Sequence, residues 1–472
     1  MIRMLLGWRA TAPLMGVLLV LFVLASSAAA QGFKVLFNFD GEDGGLPIAS
    51  TLVQGVDGNL YGTTDWEGAS GYGTVFKVTP AGVLTKLYDF CQNPDTCTDG
   101  ANPVSGLVLG PDGNFYGTTI GGGTFGAGTV YKITPSGVLT TLYSFVGPEG
   151  AFPATALVLG SNGNFYGTTS LGGNSAACPG LFSGCGSIFE ITSTGEFTLL
   201  HLFDLNDGAT PQAPLVQASD GNFYGTAFQG GSLGYGTVFK MTPSGALALL
   251  HSFSGADGEY PSGSLLQEGN VFYGTAAFGG SNGYGTVFEM THQGVLRTIF
   301  NFDLGNGYVP SGAIIRAADG YFYGSTESGG PGACGTLFRF NAAGTLTVLH
   351  DFALEDGCYP NGQAQGTNGI FYGLGYGGGA HSYGTVFSFS AGLRPLVETA
   401  PASGKVGTSV QILGTNLRGA TSVTFNRTAA SFTVVSGTLI TATVPAGATT
   451  GIVKVVTPRG TLSSNLSFQV IQ

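Results

Sequence analysis

Hydrophobic and polar positions recur along this chain in short alternating runs, each bounded by Gly, Pro, Asn or Asp. Four such runs are read in one stretch: Leu107 to Leu109, Asn114 to Thr119, Gly128 to Thr134, and Val138 to Phe145. They are rich in β-branched and aromatic residues, which suit a half-buried pleated surface, so each predicts a strand. No segment after residue 30 keeps a 3.6-residue apolar period. No helix is expected there.

The four runs repeat. DGNFYGTT at 112–119 has close copies around Tyr61, Tyr166, Tyr224, Tyr273, Tyr323 and Tyr372, and GTVYKITP at 128–135 has copies beginning at Gly73, Gly186, Gly236, Gly285, Gly335 and Gly384. Seven copies at spacings of 49 to 58 residues make a repeat protein. Runs one and two are joined by a tight turn, GPDGN at 110–114, and runs three and four by another, TPSG at 134–137. Both read as hairpin connections. The other two connections are longer: a glycine-rich loop such as GGGTFGAG at 121–128, and an Asp-Gly-x-x-Pro segment such as DGANP at 99–103. That alternation places all short turns on one face and all long loops on the other.

Seven four-stranded antiparallel units predict an all-β, seven-bladed β-propeller, which leaves few open edges. The last repeat stops after GTVFSFSAG at 384–392 without a fourth run, while FKVLFNF at 33–39 is a fourth run without a repeat. The N-terminal strand is therefore expected to complete the seventh blade as its outer strand. A solenoid is the alternative, but it needs capping units. A spare strand at one end matching a gap at the other favours the ring.

Residues 1–30 read as a secretory signal: Arg3 and Arg9, an apolar core from Leu14 to Leu24, and a small-residue cleavage site at Ala28 to Ala30. The apolar run is short for a membrane anchor, which must cross about 30 Å of hydrocarbon. No cysteine lies near the cleavage point, which argues against lipid attachment. No later stretch of eighteen apolar residues occurs, so a soluble mature chain without membrane insertion is expected. Removing the signal takes the formal net charge from −11 to −13. An acidic chain is a poor partner for nucleic-acid phosphates or anionic lipid. Glycine, at 82 of 472 residues, would suggest disorder without the aromatic periodicity; here it marks turns.

The YGTT, GTVF, TPxG and LYxF pattern over about 33–392 is similar to the GloVer tandem repeat of secreted bacterial proteins. The resemblance implies a surface or secreted role and assigns no activity. Two departures, GSIFEITS at 186–193 and YGLG at 372–375, point to a looser blade. After Gly392 the pattern changes. GKVGTSVQILGTNL at 404–417, TATVPAGATTG at 441–451 and SSNLSFQV at 463–470 resemble the IPT/TIG family, which implies an Ig-like β-sandwich. Some members contact DNA, a role at odds with an acidic secreted chain. The chain ends at Gln472 without a hydrophobic tail or sorting motif, so the anchor implied by relatives is expected to be absent. The expected domains are a signal at 1–30, a propeller at 31–392 and an Ig-like domain at 393–472.

Once the strands are placed, the cysteines fall on the long-loop face. Cys91 and Cys97 share a loop between blades, Cys178 and Cys185 share a glycine-rich loop, and Cys334 and Cys358 lie in neighbouring loops. Bridges 91–97, 178–185 and 334–358 are expected, out of fifteen pairings that six cysteines allow. An even cysteine count suits an oxidising compartment, secreted or periplasmic. Histidines at metal-ligand spacing are lacking.

Candidate ligand residues follow from the same face. Asp43, Asp99, Glu149, Asp207, Asp257 and Asp356, with Asn306 in the remaining copy, occupy the first position of Asp-Gly-x-x-Pro. Asp before Gly caps a turn; a carboxylate ring that holds calcium is the alternative. Tyr72, Tyr235, Tyr284 and Tyr383 precede the third run in four repeats and would form an aromatic collar, unless they pack over the blade ends. Asp65, Trp66 and Glu67 make the first glycine-rich loop unlike its siblings. His201, His251 and His350 replace ring residues such as Tyr88 and Tyr143, His292 replaces a turn proline, and His381 lies in a long loop. No nucleophile elbow or second loop histidine completes a triad. These features favour a non-catalytic, monomeric protein that binds a glycan or a cell-surface protein through the long-loop face, with no cofactor apart from the calcium alternative. A polysaccharide hydrolase or lyase using Asp65 and Glu67, or a purely structural surface protein, are the other readings. Propellers host both binding and catalysis, so fold alone does not decide.

Overall fold

The computed structural model describes residues 32–48, 51–173, 175–178 and 184–471. The expected signal lies outside the described residues. Among these residues the repeats form seven four-stranded antiparallel sheets, six of them in chain order. In blade 2 the strands are Val108–Leu109, Phe115–Thr119, Thr129–Ile133 and Leu139–Ser144. They are slightly shorter than the apolar runs because the run ends close the turns: the Thr134 N–H donates to the Val138 carbonyl at 3.0 Å. Helical structure among the described residues is one 3-10 turn at Ser175–Ala177. No helix among them is long and apolar enough to cross a membrane.

Residues at or just ahead of the first strands of blades 1 and 3 to 7 line one channel of about 250 Å³, which marks the first strand of each blade as innermost. The seventh blade is completed from the other end of the chain. Its order is Cys358–Gln365, Phe371–Gly377, Thr385–Phe389 and then the N-terminal strand Phe33–Asn38. Phe33 pairs with Phe389, and Asn38 with Thr385. This is the closure expected from the unmatched runs. The expectation of a looser blade fails. Blade 7 has the longest inner pair, of eight and seven residues, with Leu374 buried in place of a threonine. The other departing segment pairs in ordinary register, Ile191 with Phe165.

Two sets of aromatic contacts join the blades. The phenylalanine just after each outer strand meets the third-strand ring of the next blade edge to face. The pairs are Phe90–Tyr131, Phe145–Phe189, Phe203–Phe239, Phe253–Phe288, Phe302–Phe338, Phe352–Phe387 and, across the closure, Phe39–Phe76, with centroids 5.1 to 5.4 Å apart. Nearer the axis each YGTT tyrosine lies against the phenylalanine before the next blade's tyrosine, as in Tyr61–Phe115 at 4.1 Å and Tyr116–Phe165 at 4.0 Å. At the closure Leu60 replaces that phenylalanine and clusters with Tyr372. The glycine of YGTT makes room for the third-strand ring: a Cβ on Gly62 would lie 2.8 Å from both Phe76 and Leu52. In blade 2 the third-strand ring is Tyr131, whose hydroxyl is buried with no hydrogen-bond partner among the described residues.

The C-terminal residues form two further sheets around a core that includes Val410, Ile412, Phe425, Ile440, Val453 and Phe468. This β-sandwich rests on the short-turn face of the propeller. Leu413 and Leu439 pack with Val53, Val56 and Leu109. The Thr438 hydroxyl donates to the Val56 carbonyl at 2.6 Å, and the Gln411 amide to the Pro111 carbonyl at 3.0 Å.

Two stability outcomes follow. Tyr131→Phe removes a buried hydroxyl whose desolvation is uncompensated, so urea unfolding should show a gain of about 1 kcal/mol. Phe39→Ala removes the closing edge-to-face ring and should cost about 3–5 kcal/mol, seen as a lower urea midpoint.

Candidate functional site

The Asp-Gly-x-x-Pro segment carries each outer strand over the long-loop face to the next inner strand. Its acidic side chain is held within its own blade. The Tyr88 hydroxyl donates to Asp99 at 2.9 Å and that of Tyr143 to Glu149 at 3.2 Å. His201, His251 and His350 stand in the tyrosine's place, with Nε2 at 2.8, 2.9 and 3.1 Å from Asp207, Asp257 and Asp356. The same carboxylates accept the N–H of Gln92, Val146, Asp204, Ser254 and Ala353. Where the outer-strand ring is Phe300, which cannot donate, the acid is replaced by Asn306, whose amide oxygen caps Asp303 at 3.0 Å. Asp43, whose ring counterpart is Phe37, lacks that partner; burial, then Asp40, pushes its carboxyl up. Apart from Asp43, the acidic positions therefore cap separate loops. They share no centre, and no group of three His, Cys, Asp or Glu suited to a metal occurs among the described residues.

The residue before the proline has a conformation the pattern did not reveal. Leu46, Asn102, Phe152, Thr210, Tyr260, Val309 and Tyr359 all lie in the left-handed region, at φ 49° to 57°. For side chains of this size that is strained. Each donates its N–H to the carbonyl of the residue two before the preceding blade's third strand, at 2.8 to 3.4 Å; Tyr72, Tyr235, Tyr284 and Tyr383 are four of those acceptors. The four tyrosines are half-buried. Tyr235, Tyr284 and Tyr383 pack into inter-blade clusters, and Tyr235 meets Tyr260 edge-on at 6.2 Å. These three rings lie over the blade ends.

Asp65, Trp66, Glu67 and Tyr383 meet at the junction of blades 7 and 1. Gly45 bridges to Trp66, and a Cβ there would touch both Glu67 and Tyr383 at 3.1 Å. Trp66 is 46 % exposed, whereas Asp65 is 3 % exposed with one carboxylate oxygen lacking a partner. Burial pushes the Asp65 carboxyl up to about 6. Sealed in this way, it cannot reach a polysaccharide. Tyr72, Tyr235 and Tyr284 lie at other junctions, and His381 is exposed.

The residue that follows YGTT differs in every blade: Asp65, Ile120, Ser170, Phe228, Ala277, Glu327 and Tyr376. In blades 6 and 7 it builds a recess. Glu327 lines the mouth of the channel and also an adjoining pocket of about 320 Å³, shared with Ile48, Asn361, Tyr359 and Tyr376. The two tyrosine rings are 6.3 Å apart at 58°. Tyr359 is 45 % exposed, and it follows Cys358, which is bonded to Cys334 in the glycine-rich loop of blade 6. The bridge thus ties together the two loops that frame the recess. Burial raises the Glu327 carboxyl, with the Ser311 hydroxyl beside it. Cys91–Cys97 and Cys178–Cys185 close the other expected bridges. Glu327, Tyr359 and Tyr376 were missed by sequence reasoning, although the variability of this position within an otherwise strict repeat was visible.

The Gloeobacter/Verrucomicrobia repeat model matches residues 20–182 and 176–387. The chain belongs to this repeat family. An IPT/TIG model matches residues 397–470 of the same family member. No protein of curated function matches the sequence. Among solved structures, the chain resembles a gluconolactonase from Xanthomonas campestris, with 14 % identity, TM-score 0.38, and coverage of 62 % of this chain and 88 % of that one. A candidate 6-phosphogluconolactonase from Bacteroides uniformis shows 17 % identity, TM-score 0.46, and coverage of 67 % and 89 %. One from Bacteroides fragilis shows 17 % identity, TM-score 0.45, and coverage of 67 % and 88 %. These distant likenesses concern propeller architecture alone.

Asp65 gives a pH test of this geometry. Its folded carboxyl lies at about 6, above the ordinary aspartate value of about 3.9, so the folded repeat protein holds a proton that the unfolded chain releases. Stability falls as pH rises through that window. Asp65→Asn should remove the fall, matching the parent near pH 4 and exceeding it above pH 7 by on the order of 3 kcal/mol, measured by urea unfolding across pH.

Proposed function

We propose that this protein is an extracytoplasmic binding protein that takes a sugar-bearing ligand at the channel mouth between blades 6 and 7. Three disulfides suit an oxidising compartment. One observation carries the reading: two aromatic rings, Tyr359 and Tyr376, flank a recess whose polar groups are Glu327 and Asn361. Rings with an apolar face and a polar edge match the two sides of a sugar, and a carboxylate with an amide supplies directional hydrogen bonds to hydroxyls. The Cys334–Cys358 bridge holds Tyr359 in place before binding, which lowers the ordering cost of association. The hydrolytic alternative needs a second carboxylate across the scissile bond. Glu327 is the one carboxylate among the described residues lining the channel and the recess.

The mature protein on a glycan array, run beside a release assay on the same polysaccharides, tests this. Binding without release is expected, weakened at least about tenfold by Tyr359→Ala or Glu327→Gln and unchanged by Trp66→Ala. Released oligosaccharide would replace the reading with an enzymatic one. Silence in both assays would leave a protein partner or a structural role.

A further inference from the structure

A second cavity, of about 360 Å³, lies where the Ig-like domain meets the propeller, and it shares Thr51 and Ala313 with the central channel. It therefore sits beyond the channel, on the side away from Glu327. The propeller contributes Ile315, Arg316, Gln363 and Gln365; the Ig-like side contributes Leu396, Glu398, Asn465 and Leu466.

The polar groups here are unevenly matched. Glu398 is half-buried and lines the cavity, and its carboxylate makes no hydrogen bond or ion pair with any described residue. Desolvation alone raises its carboxyl, to about 7, with no charged neighbour contributing. Asn465 donates its amide to the Gln365 side chain, which leaves its own buried oxygen without a partner. Both are acceptors in want of a donor. The cavity's other charged residue is Arg316, whose charge is paired with Glu268 at 3.5 Å and lies 4.9 Å from the Phe322 ring centroid. Its Nη1 donates to the Ala317 carbonyl at 3.4 Å, and its buried Nε makes no hydrogen bond. An anion would have to compete with Glu268 for Arg316 and would face the Glu398 carboxylate, and an uncharged apolar molecule would leave the acceptors unmet. Ile315, Leu396 and Leu466 supply apolar wall.

We propose that this interdomain cavity binds a small organic cation, a primary amine with an apolar body, whose ammonium group meets Glu398 and the Asn465 oxygen. The amine donates up to three hydrogen bonds, which two unpartnered acceptors can take. The apolar body fills the space between Ile315, Leu396 and Leu466. Gln363, 4 % exposed, has an amide nitrogen without a partner and would meet an oxygen carried on that body. Because the site is walled by both domains, an occupant holds the Ig-like domain on the short-turn face.

Binding of cyclohexylamine to the mature full-length protein, followed by calorimetry and ligand-observed NMR, is the test. The amine remains protonated at pH 8.5, being of the lysine type with pKa about 10.4, while Glu398 is ionised there and neutral at pH 5.5. Saturable binding at pH 8.5, at least about tenfold weaker at pH 5.5, is expected. Glu398→Gln and Ala313→Leu should abolish it, with near-UV circular dichroism unchanged, and Glu327→Gln should leave it intact. Failure to saturate at pH 8.5, equal binding of cyclohexanol, or binding that survives Glu398→Gln would overturn the proposal. These outcomes are independent of the sugar site at the opposite end of the channel.

Discussion

The edge-to-face contact between the phenylalanine that follows each outer strand and the third-strand ring of the next blade is the constraint on which the rest depends. A four-stranded sheet of this length cannot bury both faces by itself, and each blade obtains its second cover from a neighbour. Each aromatic pair adds about 0.5–1.5 kcal/mol beyond the area it buries. The series returns to its start through Phe39 and Phe76. A ring closed in this way has no terminal blade to fray, and it needs no cap. The glycine in each YGTT follows from the same requirement, since the third-strand ring occupies the space a side chain would need.

With the blades locked, the loops can carry strain. The left-handed residue before each proline costs roughly 1–3 kcal/mol in isolation. It persists because its N–H is needed by the carbonyl of the preceding blade. Nearby, threonine hydroxyls at the start of the third strand, such as Thr74 and Thr237, donate to the carbonyls of Asp43 and Asp207. The acidic side chain, its carbonyl and the glycine after it thus all serve the crossing between blades. A residue type present in every repeat here is engaged by the repeat. Candidate function has to be sought where the copies differ.

Differences concentrate at two places along the axis. At the long-loop end, blades 6 and 7 bring Glu327, Asn361, Tyr359 and Tyr376 around one recess, next to a disulfide that joins their loops. At the short-turn end, the Ig-like domain encloses a cavity that holds an unpartnered carboxylate. The seven-fold scaffold is nearly uniform between them. Its channel is lined mainly by small residues such as Ala154, Ser262 and Ser311.

Much of the fold was legible in the chain itself. Turn chemistry and strand periodicity are local, so the runs, the short and long faces and the repeat number follow from neighbouring residues. The unmatched runs at 33–39 and 384–392 also implied closure, because counting strands needs no coordinates. What the tertiary structure alone decided were relations between residues far apart. Asp65 and Glu67 stood out in the pattern, yet burial removes Asp65 from the surface, in a crossing where its backbone is hydrogen-bonded to Leu46 and Asn102 of adjoining loops. Tyr359 looks like one variable position among seven, and its place in a recess depends on Tyr376 and Glu327 from different strands. The Glu398 cavity exists only because two separately folded sheets meet. Local sequence sets conformation; which side chains face one space, and how much water they keep, is set by packing over long chain separations.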